Sequence, residues 1–244
     1  MQLIPLILGS EASTGVSACL RSPDEYGLLQ KSVLRGTRLP GVQKLIAVTN
    51  RDFFYRTKAE LNFLSQTISL ISGPFQQNTA AVLAAAAAHI AQLHGEDTLI
   101  LVLPINHLNV DEVKISVATK AALSGYLVTF GMHSYNTNAK YVYPEGSINA
   151  LGARQFLWNS NLFLFKAGVI LQAIKTHCPG VLSATLNCLK HSELKEENNC
   201  LILDLNPIHF LSIPHCSIND EVIQKSSNTV MLSCGLEWLD NSIM

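Results

Sequence analysis

The chain has 244 residues, with 17 Lys and Arg against 18 Asp and Glu, for a formal charge of −1 at neutral pH. Such a balance gives no electrostatic footprint for nucleic acid or an anionic membrane. Charged residues are only 14% and mean hydropathy is +0.24, so either a well-covered sheet or an apolar surface used for association is expected. No apolar run reaches the ~20 residues that span a bilayer, and no basic stretch precedes the first apolar one, as a signal peptide requires. Six irregularly spaced cysteines read as reduced thiols of a cytoplasmic protein. The length fits one large α/β domain or two small ones, and with no internal repeat or low-complexity linker the chain is read as a single domain, 1–244.

The first element is the apolar run Leu3 to Leu8, the pattern of a strand buried on both faces. It ends at Gly9-Ser10, and a loop of small residues from Glu11 to Ala18 follows. Backbone N–H groups in such a loop can face an anion. From Gly9 to Leu20, however, there is no Lys or Arg, and Glu11 is the one charge; a carboxylate repels a triphosphate unless metal or Arg intervenes. Val42 to Thr49 reads as the second strand, Asp52 to Ser65 as a helix and Thr67 to Ile71 as the third strand. Asn78-Thr79 stands as an N-cap before the Ala-rich helix Ala80–Leu93, whose small side chains let it lie close on a sheet.

Thr98 to Pro104 is the next buried strand, leading into Ile105-Asn106-His107. Asn109 and Glu112 form a capping box for a helix reaching Leu123, and Tyr126 to Gly131 is another strand. Phe156 to Phe165 is an apolar strand whose following helix ends near His177-Cys178-Pro179. Lys190 to Asn199 reads as an exposed helix end and loop, and Thr229 to Cys234 as a last strand with an uncovered edge. Alternating strands and helices specify an α/β fold, a mainly parallel central sheet with helices on both faces. Ligands of such sheets sit at the carboxyl ends of strands, here Gly9, Pro104 and Gly131. Cys188, His191, Cys200, His215 and Cys216 match no zinc spacing, since neither a Cys-x-x-Cys nor a His pair is present.

Several of these stretches carry a resemblance. Laid from Pro5 to Leu8 on an apolar strand followed by G-G-x-G-T-R-L-W-P-L-S-R and P-K-Q-F-L, the chain keeps Thr14, Arg21 and Leu29. Gly73 to Ala80 is similar to E-P-x-G-R-N-T-A-P-A, Pro104 to His107 to P-A-D-H, Tyr126 to Gly131 to G-x-L-V-T-F-G, and Trp158 to Phe165 to W-N-S-G-M-F-L-F. Ser217 to Lys225 is similar to S-I-D-Y-A-V-M-E-K. These motifs resemble the catalytic domain of mannose-1-phosphate guanylyltransferases, which are sugar-nucleotide pyrophosphorylases. Gly36 to Pro40 echoes G-T-R-L-W-P but comes too late after the first strand, and is read as coincidence.

The resemblance implies a Rossmann-like nucleotidyltransferase (nucleotide-diphospho-sugar transferase) fold. It implies nucleotide contacts at Leu8, Gly9, Thr14, Pro74, Asn78 and Thr79, and a sugar contact at Asn159. It also marks departures: Gly15 stands for the family's Arg, Glu25-Tyr26 for its Pro-Lys, and Gln76-Gln77 for Gly-Arg. Asn106 and Trp238 stand at the two metal-binding Asp positions, Asn161 replaces a Gly and Asn219 an Asp. Mg²⁺ wants anionic oxygens, so no metal site is expected, with Mg²⁺ the cofactor only if the domain is active. The expectation is a degenerate, catalytically inactive domain that binds GTP, GDP-mannose or a sugar phosphate, or regulates by association. The partner would be a second copy or an active nucleotidyltransferase, with no nucleic acid or membrane involved. The alternative is an active enzyme whose site is re-formed by Arg21 (the candidate catalytic residue), Arg38, Glu237 or Asp240. No C-terminal β-helix or cupin domain is expected.

Overall fold

In the computed structural model, described over residues 2–8, 27–62, 68–75, 78–105, 112–133, 142–143, 149–150, 157–197 and 200–233, apolar strands alternate with helices as the pattern demands. Strand β1 is Leu3–Leu8, followed by helix α1 (Leu28–Arg38) and β2 (Leu45–Asn50). A 3₁₀ turn (Arg51–Phe53) leads into α2 (Phe54–Leu61), then come β3 (Ile68–Gly73), α3 (Thr79–His94) and β4 (Leu99–Pro104). Next are α4 (Glu112–Leu123), β5 (Leu127–His133), β6 (Val142–Tyr143), β7 (Asn149–Ala150) and β8 (Leu157–Lys166). The remainder comprises α5 (Ala167–His177), α6 (Pro179–Lys190), β9 (Glu193–Glu197), β10 (Cys200–Asp204), α7 (Pro207–Leu211), a π-helical turn (Ile218–Ile223) and β11 (Thr229–Ser233).

Among the described residues these strands form one sheet in the order β7-β11-β5-β8-β4-β1-β2-β3-β10-β9, with β6 paired to β8. The pairs of β1 with β2 and β4, β2 with β3, β3 with β10, and β5 with β11 are parallel. Strand β8 runs antiparallel between β4 and β5. The sheet is therefore mainly parallel, as the sequence implies, and two cores cover its faces. Because side chains alternate along a strand, Ile4 and Leu6 face one core with the alanines of α3 and with Ile170, Val181 and Phe210. Leu3 and Ile7 face the other, with Val33 of α1, Leu61 of α2 and Ile115 of α4. Helix α1 lies so close that a Cβ on Gly36 would stand 2.8 Å from Leu45 Cδ1.

Three expectations are corrected. The helix expected from Asp52 spans only Phe54–Leu61, preceded by the 3₁₀ turn, and residues 63–67 lie outside the described ones. The polar run after Lys190 is not a loop: Glu193–Glu197 pairs antiparallel with β10, a fully exposed strand whose charges suit an edge. Strand β11 pairs with β5 along its length and with β7 at Val230 and Met231, so among the described residues its outer edge is covered in part. The capping box at Asn109 falls outside the described residues. No helix among the described residues is long and apolar enough to cross a membrane.

Helix α3 also carries a pH dependence. Burial lowers the pKa of His89, with His94 adding to the effect, and burial and then Lys44 lower that of His94. The unfolded chain protonates both near the ordinary value of about 6.5 while the folded one resists. Stability should therefore fall as pH drops below about 6.5. His89→Gln should flatten that fall in urea melts at about pH 5 and about pH 7.5; an unchanged slope would exclude His89 as its source.

Candidate nucleotide-binding edge

Three motifs of the resemblance fall at the carboxyl ends of parallel strands, and the described parts of the others approach the same edge from antiparallel β8 and from the π-helical turn. Leu8 ends β1 opposite Pro104 of β4 and Val48 of β2. Asn50 ends β2 opposite Gly73, and its Nδ2 donates to the Phe75 carbonyl (3.1 Å), which fixes the turn through half-buried Pro74. Buried Phe75 packs edge-on to Phe210 at 5.2 Å. Ser32 of α1 donates to the Ile105 carbonyl just beyond β4 (3.1 Å).

Asn78 is buried and its amide is committed within the protein. Its Oδ1 accepts from Ala81 N and from Cys216 N, both at 3.3 Å, and its Nδ2 donates to Pro214 O at 3.0 Å and Ile213 O at 3.5 Å. An Asn side chain has two donors and two acceptor lone pairs, so these four bonds use its capacity. The cap foreseen for α3 is present, and the same side chain clasps the 213–216 segment. Thr79 is exposed, and its Oγ1 accepts from Ile218 N at 3.1 Å.

The third cluster lies on β8. The pairing of β5 with β8 shifts between Thr129 and Gly131, and within that bulge Asn161 adopts a left-handed φ of 58°. That conformation favours Gly and is tolerated by Asn; the related motif has Gly here. Ser160 Oγ stabilises the bulge by donating to Phe130 O (2.8 Å) while accepting from Leu162 N (3.2 Å). Across it, Asn219 Nδ2 donates to Asn161 Oδ1 at 2.6 Å. The two departures from the motif therefore touch each other. The backbone of Asn159 stands opposite Gly131. A hydrogen-bonded path thus runs from Asn161 through Asn219 and the π-helical turn to Thr79, and from Asn78 to Cys216.

Leu8, Pro74, Asn78, Thr79 and the Asn159 backbone share this edge. Gly9, Thr14, Arg21, Asn106, Glu237, Trp238 and Asp240 lie outside the described residues. Arg38 does not join them: it is in the last turn of α1, two residues past Gly36, which packs against Leu45 at the amino end of β2. That is the opposite edge, so Arg38 cannot re-form the site. Gly36 to Arg38 are helical, which bears out reading the GTRLP echo as coincidence. Arg51, unforeseen here, makes two bonds of 2.9 and 2.8 Å to the Asp204 carboxylate. Asn50 could have been found as an Asn between an apolar strand and a helix start; the Asn161–Asn219 pair had no local signal. Cys188, Cys200 and His191 bond separately to Asn206 O, Ile68 O and Asn187 O. Among the described residues no group of three or more His, Cys, Asp or Glu is placed to hold a metal.

No family model matches the chain. It is 28% identical, over 93% of its length, to a mannose-1-phosphate guanylyltransferase of Sinorhizobium fredii, of which the match covers 49%. The chain thus spans about half the length of the curated relatives it matches. Its fold matches a crystal structure described as mannose-6-phosphate isomerase from Helicobacter pylori, with a TM-score of 0.85, 22% identity and coverage of 98% of this chain and 100% of that one. It also matches the 2-C-methyl-D-erythritol 4-phosphate cytidylyltransferase of Francisella tularensis, with a TM-score of 0.55, 11% identity and coverage of 84% and 91%. In sequence the chain is therefore similar to mannose-1-phosphate guanylyltransferases over most of its length, and its fold is nucleotidyltransferase-like.

Proposed function

We propose that this chain is a guanylyltransferase-like domain that binds GTP, GDP-mannose or a related sugar phosphate in the cytoplasm without completing nucleotidyl transfer, and works as a regulatory or interaction subunit. The observation that carries this reading is the Asn161–Asn219 pair. Nucleotidyl transfer relies on metal and cations to neutralise phosphate charge, and Mg²⁺ wants hard anionic oxygens. Asn219, at a position where the related motif has Asp, offers a neutral amide that donates to Asn161, and the two metal-ligand positions of the resemblance hold Asn106 and Trp238. The substitutions at Gly15, Tyr26, Asn106 and Trp238 run in the same direction, and any Mg²⁺ binding would be weak.

The test is a coupled pyrophosphate-release assay with GTP, mannose 1-phosphate and Mg²⁺, run beside a thermal-shift titration with GDP-mannose. Stabilisation by the ligand with no release is expected, and Gly15→Arg combined with Tyr26→Lys should not restore release. Turnover near about 1 s⁻¹, ordinary for an enzyme, would establish the second reading, an active guanylyltransferase. That reading is favoured by the similarity across 93% of the chain.

Association is part of the proposal. Ile208 and Leu211 of α7 are 78% and 61% exposed, and Leu186 of α6 is 42% exposed; helices α6 and α7 pack together. Large apolar side chains in this setting favour a partner. Light scattering over a tenfold concentration range should show an oligomer. A monodisperse monomer that captures no nucleotidyltransferase would remove this part of the proposal.

A further inference from the structure

Cys178 and Cys216 are 38 positions apart in the chain, yet their sulfurs stand 3.1 Å from each other. Cys178 is the single residue between α5 and α6, and Cys216 lies in the segment joining α7 to the π-helical turn. Cys188 and Cys200 are committed elsewhere, to the carbonyls of Asn206 and Ile68. We propose that Cys178 and Cys216 are a reversible dithiol–disulfide pair whose oxidised form fastens the 213–217 segment to the α5–α6 junction.

The geometry needs little change. A disulfide holds its sulfurs about 2.05 Å apart, so closure takes a movement of about 1 Å, within reach of side-chain rotation at two residues outside regular elements. Cys178 is half-buried and Cys216 is buried, so Cys178 is the sulfur a small oxidant meets first. With a hydroperoxide as oxidant, the Cys178 thiolate attacks one peroxide oxygen, the O–O bond breaks, and the leaving oxygen departs protonated. Cys178 is then a sulfenic acid. The Cys216 sulfur attacks the Cys178 sulfur, the S–O bond breaks, and the hydroxyl leaves as water with the Cys216 proton. Two thiols lose two electrons and the peroxide gains them; a low-molecular-weight thiol reverses the step by exchange. Burial and then the neighbouring Cys178 push the Cys216 thiol up to about 12, which leaves it protonated at neutral pH and slow to react.

Its consequence falls on the candidate site. Cys216 N donates to Asn78 Oδ1 and Cys216 O accepts from Ala80 N at 3.2 Å, so a link through Cys216 also restrains the amino end of α3. The test uses the full chain, reduced, desalted, treated with hydrogen peroxide and alkylated before a non-reducing peptide map. One linked peptide joining Cys178 to Cys216 is expected, with a melting midpoint about 5–10 °C higher that dithiothreitol reverses. Exchange of the Ala80 and Ile218 amides should slow by about tenfold. Cys178→Ser and Cys216→Ser should each abolish the link, while Cys188→Ser and Cys200→Ser keep it. The map of the unmutated chain decides the matter even if a variant folds poorly. Both thiols still alkylatable, or linked instead to Cys19 or Cys234, would overturn the pair. A link that moves neither the midpoint nor the exchange rates would overturn the fastening.

Discussion

Asn78→Ala is expected to cost about 2–4 kcal/mol of stability, through the lost cap of α3 and the buried groups left without partners. In a domain of this size that corresponds to a fall of roughly 5–12 °C in melting midpoint. The reason lies in what one amide holds together. It caps Ala81, receives the Cys216 N–H and donates to the carbonyls of Pro214 and Ile213, so truncation strands groups on two segments at once. Asn78→Asp separates the two roles. A carboxylate still accepts from Ala81 and Cys216, but it cannot donate and would confront the two carbonyls. It should therefore keep the helix start and the Cys216 bond while losing the two bonds to Ile213 and Pro214, seen as faster amide exchange at Ile218 with Cys216 still protected. Urea melts read the stability change; a loss below about 0.5 kcal/mol in the alanine variant, the size of an ordinary surface change, would show that the clasp contributes nothing.

Phe163→Ala should be more damaging still, at about 3–5 kcal/mol, the range for emptying a buried aromatic site. Phe163 is 2% exposed, lies on β8 between Val102 of β4 and Thr129 of β5, and stacks with Phe165 at a centroid distance of 6.4 Å. It is two residues from Asn161, so the cavity would loosen the strand that carries the bulge and the Asn219 contact. Phe163→Leu, which keeps most of the volume, should cost under about 1.5 kcal/mol. GDP-mannose stabilisation, read by thermal shift on whatever fraction of the alanine variant folds, should shrink along with stability. Full retention of ligand response in a folded alanine variant would separate the β8 core from the candidate site.

The parts of this protein legible from its sequence are those with a local cause. Strands β1, β4, β5 and β8 announce themselves as apolar runs because burial on both faces requires it, and their ends fall within a few residues of the expected positions. The cap at Asn78 is legible because it satisfies helix N–H groups three residues away. Nucleotidyltransferase-like architecture came from motif resemblance at strand ends, which the fold then gathers on one edge.

What the tertiary structure alone decides involves groups far apart in the chain. Strand β9 reads as a solvated charge run, since Glu193–Glu197 has no strand pattern of its own. It becomes a strand because β10 offers it a row of backbone partners from Cys200 to Asp204. The antiparallel insertion of β8 between β4 and β5 leaves no trace in periodicity, because a strand buried on both faces looks the same in either direction. Asn161 with Asn219, Arg51 with Asp204, and Cys178 with Cys216 are separated by 58, 153 and 38 positions. Local propensity carries no information at such distances; the packing of α3, α5 and the π-helical turn onto one face of the sheet brings the Asn and Cys pairs together, and the adjacency of β2, β3 and β10 in the sheet brings Arg51 to Asp204.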